Sequence, residues 1–194
     1  MSGVKQVTGQ AFALPLEDID TDVIYPALFL LHTEKRGLGR FAFHDRPAIR
    51  EAYAAAGSPP ILVAGNNFGC GSSREHAVWA LADFGLKAIV APSFGEIFRS
   101  NCANNGLIAA QVDEAALAPL LSAAEAHAAF TVDLRSTEVI VGDTRTPFAV
   151  PEADRELVLE GWNTTTRMLA LHGAQIAQFE DRQRAREPWL WTEE

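Results

Sequence analysis

The sequence has 194 residues, of which 48% are hydrophobic and 21% are charged, and this much apolar surface excludes an intrinsically disordered chain. The formal net charge is −9 with a pI of about 5.0, which argues against nucleic acid as a partner because phosphate backbones bind clustered Lys and Arg. No apolar run approaches the ~20 residues of a membrane-spanning helix. We therefore expect a single domain over residues 1–194, with a core at about 8–150 and a helical extension at about 151–194.

The two cysteines are too few for a disulfide framework. Cys70 and Cys102 lie 32 positions apart, so they do not form a CxxC metal pair either. No metal site is predicted in this chain. The first ten residues lack the apolar stretch of a secretion signal, and we expect a cytoplasmic protein.

The first predicted element is a strand at residues 4–14. An acidic turn follows at 17–22, and an apolar segment extends over 23–31. Pro47 suits the first position of a short helix at 47–56, which Gly57 would end.

The centre of the chain predicts alternating strands and helices. Short apolar runs at 61–64, 86–91 and 107–112 are typical of buried strands. Ser72 with Glu75, and Ser93 with Glu96, have the spacing of capping boxes, so the sequence predicts helices beginning at both serines. Strand–helix alternation with short joints implies parallel pairing and an α/β fold.

The last third predicts more helix and one hairpin. An alanine-rich helix is expected from Asp113 to about residue 126, and a hairpin from strands at 129–134 and 139–141. Two helices separated near 161–163 would form the tail.

The segment GNNFGCGSSREH at residues 65–76 joins a strand to a helix, a place where free backbone N–H groups attract anions. It is not a Walker A loop, because Gly71 stands where Lys is required, and it fits neither a dinucleotide fingerprint nor a nucleophile elbow. The structural alternative is that Ser72 only caps the helix. An arginine in a first turn is unusual, however, since the helix dipole favours acids there.

These residues resemble the signature of the swivel domain of the aconitase superfamily. Within it, the chain resembles the family of 3-isopropylmalate dehydratase small subunits. The likeness extends to DIDTDVIYP at residues 18–26 and to APSFGEIFRSNCANNGL at 91–107. The resemblance implies a swivelling β/β/α domain, α/β in class, with a C-terminal helical extension.

Members of this superfamily move a hydroxyl between neighbouring carbons of a hydroxy acid by dehydration and rehydration, with a [4Fe–4S] cluster as Lewis acid. The resemblance implies a hydro-lyase that interconverts 2- and 3-isopropylmalate in leucine biosynthesis. Two cysteines are too few to ligate such a cluster. We expect this chain to bind no cofactor itself and to act with a large subunit that carries the cluster, on a small dicarboxylate.

Carried over by position, Ser72 resembles the catalytic base, which removes a proton from the carbon next to a carboxylate. Helix N–H groups and Arg74 would stabilise its anion. Arg74 resembles the residue that binds a substrate carboxylate in bidentate fashion. Ser73 is expected to donate a further hydrogen bond.

Other residues are expected to shape this site or to support it. Asn67 would shape the loop or contact substrate, and the apolar Ala27, Leu28 and Leu31 suit a branched alkyl group. The expected supporting residues lie in the acidic turn and in the glycine loop: Asp20, Thr21, Asp22, Gly69, Gly71, Glu75 and His76.

Two alternatives stay open at this point. The same chemistry would serve another substrate, such as methyl- or dimethylmalate or homoaconitate, because one methylene in an apolar pocket changes binding by only ~1–3 kcal/mol. A non-catalytic anion-binding module is the alternative from another class, although the loop lacks a lysine.

Overall fold

The strands of the protein close into a barrel. A computed structural model describes residues 2–32 and 34–191. Within these ranges the strands are β1 (Gln6–Leu14), β2 (Ile61–Ala64), β3 (Ala88–Ala91), β4 (Ile108–Val112), β5 (Ala129–Asp133), β6 (Glu138–Val141) and β7 (Thr144–Ala149). The α-helices are α1 (Thr21–Ile24), α2 (Pro47–Ala55), α3 (Glu75–Phe84), α4 (Glu96–Asn104), α5 (Glu114–Glu125), α6 (Glu152–Glu160) and α7 (Thr164–Arg186). Three short 3₁₀ turns cover Ala27–Phe29, Gly39–Phe41 and Pro188–Leu190.

The barrel follows the order β1-β2-β3-β4-β7-β6-β5, and β5 returns to pair with β1. Strands β1 to β4 are parallel neighbours, and the remaining pairs are antiparallel. The carboxyl ends of the four parallel strands therefore lie at one edge. In parallel sheets this edge is where loops assemble binding sites.

The short parallel strands are buried on both faces, which explains their uninterrupted apolar sequences. Every residue of β2 and β3 is buried. Alternate side chains enter two separate clusters: Ile61 and Val63 belong to one, and Leu62 packs in the other with Leu81 of α3.

Helix α7 follows the barrel and has no buried residue among its 23. Asn163 and Thr166 cap its first turn reciprocally, and Asn104 of α4 accepts hydrogen bonds from the Thr164 amide and hydroxyl. None of the helices in residues 2–32 and 34–191 is long and apolar enough to span a bilayer.

The α/β class, the parallel pairing and the two C-terminal helices are confirmed. The domain boundaries stay predictions, and residues 192–194 of the expected extension lie outside the described residues. Both predicted capping boxes are wrong: α3 begins at Glu75 and α4 at Glu96, and neither helix has a side-chain cap. Strand β7 was missed by the sequence pattern.

Candidate functional site

The glycine loop between β2 and α3 meets two other segments at the carboxyl edge of the parallel strands. One is the acidic turn after β1, where the backbones of Asp20 and Cys70 pair as an isolated β-bridge. The other follows β3, where Phe68 pairs with Phe94. The three motifs that carry the family resemblance are therefore adjacent in space.

Backbone and side-chain hydrogen bonds hold the acidic turn against the glycine loop. The Gly69 amide donates to the Ile19 carbonyl at 2.7 Å, and the Thr21 amide donates to the Cys70 carbonyl at 2.9 Å. Thr21 is 1% exposed, and its hydroxyl donates to the Ser72 carbonyl at 3.1 Å. Thr21 thereby fixes the backbone of the residue proposed to react.

Asp20 and Asp22 have different partners although they are two positions apart. The Asp20 carboxylate caps α1 by accepting from the Val23 amide at 2.7 Å. Asp22 instead accepts from Nη1 of Arg74, across 52 positions of sequence. Within the acidic turn, Thr21 thus supports the glycine loop, and Asp22 restrains the Arg74 side chain.

Ser72, Ser73 and Arg74 stand on a tight bend ahead of α3. The Arg74 amide donates back to the Ser72 carbonyl at 2.8 Å, and Arg74 has an extended backbone at the N-cap position. The two serines are exposed and Arg74 is half-buried. The prediction that these side chains share the first helical turn is wrong, because the bend ends before the helix begins.

The glycines of the loop permit close packing and left-handed backbone. Gly69 has φ of +73°, and a Cβ there would lie 2.2 Å from the Phe98 ring. Gly71 has φ of +91°, a region that L side chains rarely adopt. A Cβ on Gly95, after β3, would lie 2.4 Å from the Gly69 carbonyl oxygen. A side chain at Gly69 or Gly95 would push the loop away from its supports, and one at Gly71 would strain the backbone.

Asn67 is held within the loop by its own contacts. Its backbone is left-handed with φ of 56°, and its side-chain amide donates to Asp18 at 2.7 Å. Its backbone amide donates to Ser93 Oγ at 2.8 Å. Asn67 thus shapes the loop in this structure, and its contact with substrate stays a prediction.

Glu75 and His76 link α3 to neighbouring segments. Glu75 accepts from the Asn105 side-chain amide at 2.7 Å. The His76 ring stacks on Tyr25 with centroids 5.8 Å apart, and its Nε2 lies 3.1 Å from the His32 carbonyl oxygen. Because a carbonyl only accepts, Nε2 carries the proton in this contact. His76 therefore braces the segment between Tyr25 and His32.

The apolar segment presents its side chains outward. Leu28 is 80% exposed and Leu31 93% exposed, and Ala27 is exposed as well. Phe29, the last residue of the 3₁₀ turn, anchors this segment, because its ring stacks on Phe41 with the centroids 4.1 Å apart. The two leucines therefore leave apolar area in water, and its transfer out of water would be favourable.

The two thiols lie in different surroundings. Burial raises the pKa of the Cys70 thiol, and the carboxylates of Asp20 and Asp18 raise it further. Cys102 on α4 is fully buried, which raises its thiol pKa well above the ordinary value. Across the described ranges, no three His, Cys, Asp or Glu side chains come together as a metal site.

Sequence reasoning missed the supports of the loop. Ser93 was expected to cap α4, yet its hydroxyl accepts from the Asn67 amide and donates to the Asn66 side chain. Asp18 lies in the acidic motif and accepts from the Asn67 side chain, a role that the sequence pattern does not indicate. Contacts between segments so far apart in sequence have no local signal.

Comparison with known proteins places the chain in a family. The Aconitase C-terminal domain family matches residues 32–115. The 3-isopropylmalate dehydratase small subunit of Rhodospirillum centenum is 39% identical over 94% of this chain and 96% of its own length. The corresponding small subunit 1 of Chromobacterium violaceum is 40% identical over 95% of this chain and 92% of its own.

A solved structure agrees in fold. The crystal structure of 3-isopropylmalate dehydratase from Methanocaldococcus jannaschii matches with a TM-score of 0.66 and 26% identity, over 91% of this chain and 99% of that one. Because the identity near 40% extends over almost the whole chain, the protein belongs to the family of 3-isopropylmalate dehydratase small subunits.

Proposed function

We propose that this chain is the small subunit of a two-subunit hydro-lyase that interconverts 2-isopropylmalate and 3-isopropylmalate by removing and re-adding water. The observation that carries the proposal is the Ser72–Ser73–Arg74 bend, with exposed serines and a half-buried arginine, which Thr21 and Asp22 hold at the carboxyl edge of the parallel strands. The names of the relatives agree with it.

Ser72 is the proposed base. Dehydration requires removal of a proton from the carbon next to a carboxylate, and a serine oxygen does this only if its anion is stabilised. The charge of Arg74 lies two residues away, and the bend keeps the Ser72 hydroxyl exposed. In the reverse direction the Ser72 hydroxyl returns the proton to carbon.

Arg74 is the proposed carboxylate-binding residue. Asp22 engages Nη1 alone, which leaves the edge formed by Nε and Nη2 for the two oxygens of a substrate carboxylate. Asp22 would hold the guanidinium in place while that edge binds. Ser73, exposed beside it, supplies a further hydroxyl.

The apolar segment is the proposed specificity surface. Exposed Leu28 and Leu31, with Ala27, offer methyl and methylene groups to the isopropyl side chain. A third carboxylate, as in homoaconitate, would find no cation on these three residues. Apolar contact favours a branched alkyl malate.

The [4Fe–4S] cluster of such an enzyme does not fit this chain. The chain has two thiols, of which Cys102 on α4 is buried in the core, and a cluster of this type needs more thiolate ligands. We place the cluster in a large subunit, and we propose that this domain closes over that subunit as the swivel domain. No step by residues of this chain requires it to hold the cluster.

Anaerobic co-expression with a 3-isopropylmalate dehydratase large subunit tests the proposal. The complex should hydrate and dehydrate isopropylmalate with higher kcat/KM than methylmalate, dimethylmalate or homoaconitate, and either subunit alone should be inactive. Turnover of another malate with isopropylmalate inert would refute the substrate. Absence of both complex formation and turnover would favour a non-catalytic anion-binding module.

A further inference from the structure

A cleft with three arginines in its walls lies between α4, α6 and the turn that joins β5 to β6. It has a volume of about 510 Å³, and its walls include Arg99, Gln111, Arg135, Glu152 and Arg155. None of its lining residues belongs to the glycine loop or the acidic turn. Three arginines around one cleft contrast with the chain's net charge of −9.

Arg99 lines this cleft, and its side chain is 28% exposed. Its Nε is buried and has no hydrogen-bond acceptor among the described residues. The nearest carboxylate oxygen belongs to Asp154 on α6, at 3.8 Å, which is beyond hydrogen-bond distance. Nε lies on the Asp154 side of the guanidinium, so an anion in the cleft would bind the exposed part of the Arg99 side chain.

Arg155 builds the wall of the cleft. Its Nε donates to the Leu134 carbonyl and its Nη2 to the Arg135 carbonyl, both at 2.9 Å, while Nη1 pairs with Glu152. These bonds fix the turn that carries Arg135. The Arg135 side chain is exposed, and no ion pair of it occurs within the described ranges.

The amino end of α6 also faces this cleft. Pro151 and Glu152 line it, and α6 has no side-chain cap, so its first N–H groups add partial positive charge. The acids beside the cleft are Glu152, which Arg155 engages, and Asp154. Three arginines against two acids leave a formal charge of +1, apart from the helix end.

We propose that this cleft is a second anion site, which binds a small molecule through one carboxylate or phosphate group between Arg99 and Arg135. Two oxygens on one centre match the fork of a guanidinium. The α6 amides would contact the same group. The site is independent of the function proposed for the glycine loop.

Nuclear magnetic resonance of the full chain tests this site. Inorganic phosphate and succinate are titrated separately, with sodium chloride at matched ionic strength as the control, and the Arg99 Nε–H signal and the Ala153 amide are followed. We expect saturable shifts with phosphate, succinate or both. The anion that produces saturable shifts, phosphate or succinate, identifies the class of ligand. Linear shifts with both, equal to those with chloride, would overturn the proposal.

Substitutions test whether the anion binds in this cleft. Arg99→Gln and the exposed Arg135→Gln should each weaken it about tenfold, because each removes a charged hydrogen-bond donor. The matched control Arg145→Gln, on an exposed arginine paired with Glu138, should leave it within twofold. Arg74→Gln should also leave it within twofold. Loss of binding in Arg74→Gln, or full binding in Arg135→Gln, would contradict the assignment.

Discussion

Arg74 and Asp22 form an ion pair between the glycine loop and the acidic turn, with the arginine side chain 22% exposed and the aspartate 51% exposed. The pair joins two motifs separated by 52 positions. It positions the guanidinium through one nitrogen and leaves the other edge for a carboxylate. A partly exposed ion pair contributes about 1 kcal/mol to stability, so its main effect here is to orient the Arg74 guanidinium.

Asp22→Asn should raise KM for isopropylmalate about fivefold in the assembled enzyme and lower kcat less. The neutral amide attracts the guanidinium more weakly, and about 1 kcal/mol corresponds to roughly that factor. Asp22→Glu should restore most of the affinity. Asp143→Asn, on an exposed turn, is the control. Equal KM for Asp22→Asn and the wild type would remove Asp22 from the positioning role.

Ser72→Ala should lower kcat by about 10²–10⁴ while KM changes by a few-fold, because a proton-transfer group acts in the transition state. Ser122→Ala, on the exposed face of α5, should leave both constants unchanged. Steady-state rates with isopropylmalate and an unchanged circular dichroism spectrum are the measurements. Near-normal turnover in Ser72→Ala would assign the base to another residue.

Gly69→Ala should destabilise the protein well beyond Gly142→Ala. Both glycines have positive φ, but a Cβ at residue 69 would overlap the Phe98 ring, whereas residue 142 has nothing within 4 Å. The shared backbone strain costs ~1–2 kcal/mol, and overpacking at residue 69 adds about 1–3 kcal/mol. Urea denaturation measures both. Equal free energies of unfolding would show that the ring moves aside freely.

The parallel strands could be predicted because burial on both faces requires short apolar sequences such as Ile61–Ala64. The start of α3 could not be predicted, because the Ser72 carbonyl already accepts hydrogen bonds from the Thr21 hydroxyl and the Arg74 amide. These contacts bend the chain before the helix begins. Local spacing contains no information about Thr21, which is 51 positions away.

Strand β7 lacked a signal for a different reason. Half of its sequence TRTPFA is polar, it contains Pro147, and only Phe148 is buried. It becomes a strand by pairing with β4 and β6 on its two sides. Similarly, the pair between Arg74 and Asp22 depends on a barrel that places β1 beside β2.

Thr21→Val should lower the free energy of unfolding by about 1 kcal/mol, since it removes a hydrogen bond from a buried hydroxyl without changing side-chain volume. It should also lower kcat, because the Ser72 backbone loses a support. Thr21→Ser keeps the hydroxyl and should recover kcat. Recovery of stability without recovery of kcat in Thr21→Ser would separate Thr21 from the placement of Ser72.

Cys70 should react slowly with iodoacetamide at pH 8. Burial, and then Asp20 and Asp18, raise its thiol pKa, so less thiolate is present than in an unstructured peptide, and thiolate is the nucleophile. Asp20→Asn removes one of these charges and retains an oxygen that can cap α1. This variant should therefore lower the thiol pKa and speed alkylation a few-fold.

Mass spectrometry of the alkylated peptides between pH 7 and pH 10 measures this rate. Asp143→Asn serves again as the control and should leave the rate at Cys70 unchanged. Buried Cys102 should stay unmodified until the protein is unfolded in urea. If Cys70 reacts as fast as a free peptide thiol in the wild type, neither burial nor the carboxylates of the acidic turn raise its thiol pKa.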